Sequence, residues 1–181
     1  MCGVTGQNAE DNWIEFGYGI SRSQLNKAGR PGHPISFERS SIKALARRLT
    51  DTRMSEYARS QGLQKLLSGT YSMGAMAEAR GFKSVPSPQF QRPNMSNPGK
   101  YYSGGYITKR WGSRNGGDID SIQFELPMDV RKNFKTSGPQ LGEVVVEFME
   151  RHYKLNTNAT VFYSSDSSED NWFEQSINQD T

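Results

Sequence analysis

The sequence predicts an α/β domain: a small mixed sheet flanked by four or so helices. Three observations predict it. β-prone residues partly alternate at Trp13–Ser21 and again at Ile119–Leu126. Apolar residues recur at helical spacing at Ile42, Leu45, Ala46 and Leu49, and again in a stripe of Val144, Val145, Phe148, Met149 and His152. Between these runs, 18 glycines and 8 prolines in 181 residues punctuate the chain. That length suffices for one domain with a core, although a hydrophobic content of 34% is low and implies many loops.

In chain order, WIEFGYGIS at Trp13–Ser21 reads as a strand or strand-loop. A loop punctuated by Gly29, Pro31, Gly32 and Pro34 runs from Asn26 to Ser36. Ser36 or Ser40 then caps a helix over Glu38–Leu49. A second helix covers Met54–Leu67 and stops at Gly69, and a third, short and Ala/Met-rich, covers Ser72–Arg80 and closes at Gly81. Phe82–Val85 reads as a strand and Pro86–Gly99 as a loop forming a surface excursion or a pocket rim. Tyr102–Thr108 and Ile119–Leu126 read as strands, the second with Asp120, Ile122 and Phe124 on one face and Ser121, Gln123 and Glu125 on the other. Gly138–Tyr153 is the clearest helix. The domain therefore spans 1–155, and 156–181 reads as an acidic, disordered tail, with Trp172 and Phe173 able to dock.

Charge divides the chain. Residues 155–181 hold Asp166, Glu169, Asp170, Glu174 and Asp180 and no Lys or Arg, so this −5 segment leaves +8 on residues 1–154 of a chain of net charge +3. A basic body attracts anions and an acidic tail can shield it; a soluble surface with a disordered tail accounts for the same division. Cys2 is the single cysteine, which excludes an intramolecular disulfide and a Cys-based zinc cluster. His33 and His152 are the two histidines, a poor supply for zinc. His33 reads as an exposed loop residue, and His152 as a complement to the C-terminal dipole of its helix. No apolar run approaches the ~18–20 residues that a bilayer span needs, so no membrane partner is expected. The first residues show no signal peptide, which points to the cytosol, or to secretion if the true N-terminus lies upstream. The basic charge is too modest for nucleic acid, and Tyr101, Tyr102, Tyr106 and Trp111 are expected to build the sheet. Oligomeric state is not legible.

Chemistry concentrates in SGGYITKRWGSRNGGDIDSIQFELP, Ser103–Pro127. Two Gly-Gly turns bracket a cationic cluster, and a strand ends in the carboxylate of Glu125. Glu125 reads either as an acid/base group or as a strand-end carboxylate paired with a nearby Arg. Lys109, Arg110 and Arg114 read either as an anion site or as a solvated cationic turn. The Gly-Gly pairs lack the spacing of a phosphate loop and are turns.

The run GGYITKRWGSRNGGDIDSIQFEL at Gly104–Leu126 resembles the "GGYITR.(H/Y)G … (A/S)IQ.EL" segment of the N-formylglutamate amidohydrolase-like family. NWIEFGYGIS…LN at Asn12–Asn26 is similar to that family's "WIELGYLLS…LN", LLSGTYSMGAMAEARGFKSVPSP to its helical middle, and VVVEFMERHY to its final helix. The resemblance covers roughly residues 4–154. It implies a partial zinc-carboxypeptidase-like (phosphorylase/hydrolase-like) fold, and a metal-dependent hydrolase acting on the amide bond of N-acyl amino acids. It implies zinc as cofactor, Glu125 as general base, and Lys109, Arg110 or Arg114 as contacts to a small carboxylate-bearing substrate. Lys109 stands where the motif has Arg and so lacks the bidentate fork.

The departures from the motif bear on the metal. The family's "(I/V)HG(H/Q).H…W" aligns with Val4–Trp13, which places Thr5 at the metal histidine and Ala9 at the second histidine. The early "PHGG"-like motif and first strands have no counterpart here, so the resemblance covers the C-terminal portion of the family fold and the zinc ligands are not identifiable. The alternative is a non-catalytic carboxylate-binding or protein-interaction module descended from that fold.

Overall fold

The computed structural model describes residues 12–27, 35, 37–49, 56–93 and 101–154. It is mixed α/β. The elements run β1 (Ile14–Gly17), α1 (Arg22–Lys27), a 3-10 turn (Phe37–Arg39), α2 (Lys43–Arg48), α3 (Glu56–Ser68), α4 (Met73–Ala79), β2 (Ser84–Val85), α5 (Tyr106–Trp111), a second 3-10 turn (Ser113–Asn115), β3 (Gln123–Glu125), α6 (Met128–Lys132) and α7 (Phe134–Tyr153). The sheet order is β2-β1-β3. β1 pairs parallel with β2 and antiparallel with β3, with Glu15 opposite Glu125, Phe16 opposite Phe124 and Gly17 opposite Gln123. The expected mixed sheet is present, and it is small. Among the described residues no helix is long and apolar enough to cross a membrane.

Alternation along β1 sends Ile14 and Phe16 into the core, where Phe16 meets Phe124 edge to face at 5.0 Å. The core continues through Leu45, Leu63, Leu67 and Met76 on the helices, and α7 closes it with Leu141, Val144 and Phe148. Val145 is exposed, so the stripe on α7 is narrower than its sequence suggests. Arg80 fastens α4 to α7, its Nε 3.1 Å from Glu143 and its Nη1 2.9 Å from Glu147.

Local signals set several boundaries. Ser72 caps α4 by accepting the Ala75 N–H at 3.1 Å, and Gly81, at φ 84, follows it. α1 has no counterpart among the expected elements. It begins with Ser21 and Gln24 bonding reciprocally, Ser21 N–H to Gln24 Oε1 at 2.9 Å and Gln24 N–H to Ser21 Oγ at 3.4 Å, which is a capping box.

The segment Glu38–Leu49 is not one helix. A 3-10 turn is followed by six residues of α2, whose N-cap position, Ile42, offers no side-chain acceptor. Ser40 instead bonds the Tyr18 carbonyl at 3.3 Å, and Ser36 lies outside the described residues. The cap is supplied from far along the chain. Ser113 Oγ accepts the Ala44 N–H at 2.9 Å, and Asp120 Oδ2 accepts the Leu45 N–H at 3.0 Å. Asp120 also takes Arg48 Nη2 at 3.2 Å, the Tyr153 hydroxyl at 2.8 Å and the Ser113 hydroxyl at 2.6 Å, with its side chain 4% exposed.

Two strand expectations are corrected. Tyr102–Thr108 is a loop followed by α5, because its amides bond side chains rather than a neighbouring strand: Tyr102 N–H goes to Glu15 Oε2 at 2.8 Å and Gly105 N–H to Gln123 Oε1. Tyr106 and Trp111 accordingly lie on the surface and not in a sheet. Ile119–Leu126 contributes only Gln123–Glu125 to the ladder, because Ser121 N–H is drawn away to the Ser41 carbonyl at 3.1 Å. His152 directs Nε2 to the Tyr71 carbonyl at 2.7 Å rather than to the end of its own helix. The expected loop at Asn26–Ser36 and the tail fall largely or wholly outside the described residues.

Asp120→Ala strips the acceptor from four donors and should cost about 3–5 kcal/mol, because it leaves buried donors unpaired. Ser113→Ala removes one cap acceptor and should cost about 1–2 kcal/mol. Urea unfolding measures both, and equal small losses would show that Asp120 is no hub.

Burial also raises the hydroxyl pKa of Tyr18, Tyr101 and Tyr153, with a further rise at Tyr153 from its bond to Asp120. A tyrosine whose folded pKa is raised stabilises fully below its unfolded value of about 10 and loses that contribution as pH climbs past it, since the unfolded chain then binds fewer protons. The Tyr18 hydroxyl is buried with no hydrogen-bond partner among the described residues. Tyr18→Phe should therefore leave neutral-pH stability unchanged or raised, and should flatten the decline above pH ~10 in a urea-midpoint series.

Candidate functional site

The two faces of β1 do different work. Ile14 and Phe16 face the core, while Glu15 and Gly17 face the opposite side with Gln123 and Glu125 of β3. Gly17 is the reason a loop can lie on that second face. A Cβ there would sit 2.7 Å from Gly104 N and 2.8 Å from the Tyr102 carbonyl oxygen. The loop is stitched down beside it, with the Gly19 N–H on the Ser103 carbonyl at 2.6 Å and the Tyr101 hydroxyl on the Phe16 carbonyl at 2.7 Å. Gly104 adopts φ 127, a conformation that favours glycine. α5 follows at once, anchored by the buried Thr108, whose hydroxyl bonds the Gly105 carbonyl at 3.0 Å.

Gln123 links the pieces. Its Oε1 accepts the Gly105 N–H and its Nε2 donates to Glu125 Oε1. The first Gly-Gly turn and Glu125, twenty residues apart in the chain, thus form one hydrogen-bonded unit. Glu125 is half-buried, and its partner is this amide and not an arginine. Directly across the ladder stands Glu15, whose Oε2 holds the Tyr102 N–H. Opposed residues in a sheet have Cβ atoms about 5 Å apart, so two carboxylates share this face. The arrangement suits a ligand that offers an N–H or an ammonium. Gln123 and Glu15 do not stand out in the sequence; their alternation with Gly17 and Glu125 is the signal that could have found them.

The cations lie on the following elements. Lys109 and Arg110 are exposed on α5 and Arg114 is half-buried in the second 3-10 turn. Arg110 stacks over the Trp111 ring at 4.7 Å, and the Lys109 carbonyl accepts from Asn115. Among the described residues no ion pair or hydrogen bond joins any of the three side chains to Glu125. They form a cationic surface next to the Gly-Gly loop.

Among the described residues, the donors around Glu125 do not make up the ligand set of a catalytic zinc. The carboxylate neighbour of Glu125 is Glu15, and the other polar group on it is an amide. His152 is committed to the Tyr71 carbonyl, and no group of three His, Cys, Asp or Glu that could hold a metal occurs among the described residues. Two carboxylates without imidazole are not the donor set of a catalytic zinc. Thr5, Ala9 and His33 lie outside the described residues.

No family model, no curated protein and no solved structure matches this chain.

Gly17→Ala should lift the 101–105 loop and cost about 1–3 kcal/mol, the usual range for overpacking. Hydrogen exchange reads the lift directly: the Gly19, Tyr102 and Gly105 amides should exchange faster together, and unchanged protection would mean the loop does not depend on Gly17.

Proposed function

We propose that the chain is a non-catalytic member of the N-formylglutamate amidohydrolase-like family that binds a small carboxylate-bearing molecule of the N-acyl amino acid class. On this reading the three-stranded sheet belongs to a partial zinc-carboxypeptidase-like fold. The observation that carries the proposal is the Gln123 bridge: the GG and the Q and E of the GGYIT…IQFEL motif meet in space through Gly105, Gln123 and Glu125.

The roles follow from the chemistry. Glu125 accepts the ligand's amide N–H, because Gln123 engages its Oε1 and leaves Oε2 without a protein donor among the described residues. Lys109, Arg110 and Arg114 offer the charge for the ligand carboxylate, Lys109 as a point charge and the arginines as forks. This reading assigns binding and not hydrolysis, and what supports it is that the described donors around Glu125 include no imidazole for the zinc that would supply the activated water.

Calorimetric titration of N-formylglutamate and N-acetylglutamate tests the reading. Both should bind, and Glu125→Gln and Lys109→Ala should each weaken binding about tenfold or more, the worth of a hydrogen bond to a charged group. Absence of binding would overturn the proposal. Turnover on addition of zinc, abolished in Glu125→Gln, would replace it with the metal-dependent amidohydrolase.

A further inference from the structure

α5 is an unusual surface helix. Tyr106 is 75% exposed, Ile107 66% and Trp111 55%, and Thr108 is the one residue of the six that is buried. Ile107 and Trp111 stand four apart and share a side of the helix, as do Tyr106 and Arg110. With Lys109, Arg110 and Arg114, the stretch 106–114 carries three cations and no acid. An exposed aromatic cluster rimmed by cations marks an interaction surface.

We infer that this surface is the docking site of the chain's own acidic segment 166–174, held by its carboxylates on Lys109, Arg110 and Arg114 and by Trp172 and Phe173 on the apolar face of α5. Complementarity is the first argument. Asp166, Glu169, Asp170 and Glu174 bracket two adjacent aromatics in a segment without Lys or Arg, the chemical counterpart of the α5 surface. The point of departure is the second. The last turn of α7 is tied to Asp120 by the Tyr153 hydroxyl at 2.8 Å, and Asp120 is tied to Ser113, two residues past Trp111, at 2.6 Å. The C-terminal turn of α7 is therefore joined, through Tyr153, Asp120 and Ser113, to the turn that follows α5. Eleven residues lie between Lys154 and Asp166, and fully extended they span up to ~40 Å, enough to reach the α5 surface. A tether of that length holds the segment at about millimolar effective concentration. A second copy is the poorer occupant, because two α5 surfaces brought face to face oppose like charges.

The inference does not rest on Glu125 or on any small ligand. It predicts that the tail competes for the same cations, so a ligand carboxylate would have to displace it.

Paramagnetic relaxation in the full chain tests it. A nitroxide is attached through Asp170→Cys, with Cys2→Ser removing the native thiol. Amide signals of residues 106–111 should broaden. The broadening should be lost in the Lys109→Glu/Arg110→Glu variant, whose substitutions are at exposed side chains and whose fold is checked by amide dispersion. It should also shrink in the parent as salt rises from 0.1 to 1 M, where the screening length falls from about 10 to about 3 Å. Three results would overturn the proposal: no broadening at 106–111; broadening that survives both charge reversal and salt; or broadening that appears when the nitroxide is on separate, isotopically silent molecules, which would assign the surface to a second copy.

Discussion

The Asp120 carboxylate is the constraint on which the rest of the molecule depends. α2 has six residues, too short to persist by itself. Its second and third helical residues, Ala44 and Leu45, carry the N–H groups that an N-cap side chain would normally satisfy. Ser113 and Asp120 satisfy them from 69 and 75 residues away. The carboxylate is nearly buried, which is costly unless its lone pairs are filled. Four donors from α2, the second 3-10 turn and α7 fill them. Fixing Ser113 in turn fixes Gly112, which packs on Ser41 with no room for a side chain, and so fixes where α5 ends. The N-terminal end of α5 is set by Gly105 and Gln123. A polar hub thus positions the candidate site without belonging to it.

How far the sequence spoke depended on where the decisive partner lay. α4 was legible because its cap, Ser72, and its terminator, Gly81, are adjacent in sequence. α1 was equally legible in principle, because Ser21 and Gln24 form a capping box within four residues. β1 and the interior of α7 followed from periodicity. The capping of α2 was not legible, because no local pattern announces an acceptor 75 residues distant. Tyr102–Thr108 misled for a related reason. Its β-prone residues suit a pleated sheet, but the edges of β1 are taken by β2 and β3 and the loop amides found side-chain acceptors instead. Strand propensity describes a preference for a half-buried surface and yields when the backbone amides are taken by side-chain acceptors.

At the candidate site, Glu125 was legible as a strand-end carboxylate, but its environment was not. The arginine of one of its two readings is absent from its contacts among the described residues, and an amide donates to it. Directly opposed like charges in a sheet are ordinarily destabilising. Here Tyr102 N–H and Gln123 Nε2 each neutralise part of that repulsion. Replacing Glu15 would release the Tyr102 N–H, and replacing Glu125 would release the Gln123 amide, so each glutamate also holds the loop to the sheet. A local rule broken where a loop, two carboxylates and a glycine-only contact converge is the pattern expected of a functional site.

The same geometry couples the site to the C-terminal region. One oxygen, Asp120 Oδ2, receives both the Leu45 N–H and the Tyr153 hydroxyl, so the start of α2 and the end of α7 cannot move independently. Arg48 adds to the lock by bonding that oxygen while its guanidinium lies over the Tyr153 ring at 5.1 Å. The last turn of α7 is held on its other side as well, by Arg151 over the Tyr71 ring at 3.6 Å and His152 on the Tyr71 carbonyl. The final turn of a helix ordinarily frays; this one is pinned at three consecutive residues. Pinning so close to the chain's exit does little for the core, which Leu141, Val144 and Phe148 already close. It does fix where the following residues begin, and it links that point through Asp120 to the turn that ends α5. A well-defined departure point matters to a tethered segment because it sets the volume that the segment searches, and therefore how often its carboxylates meet Lys109 and Arg110.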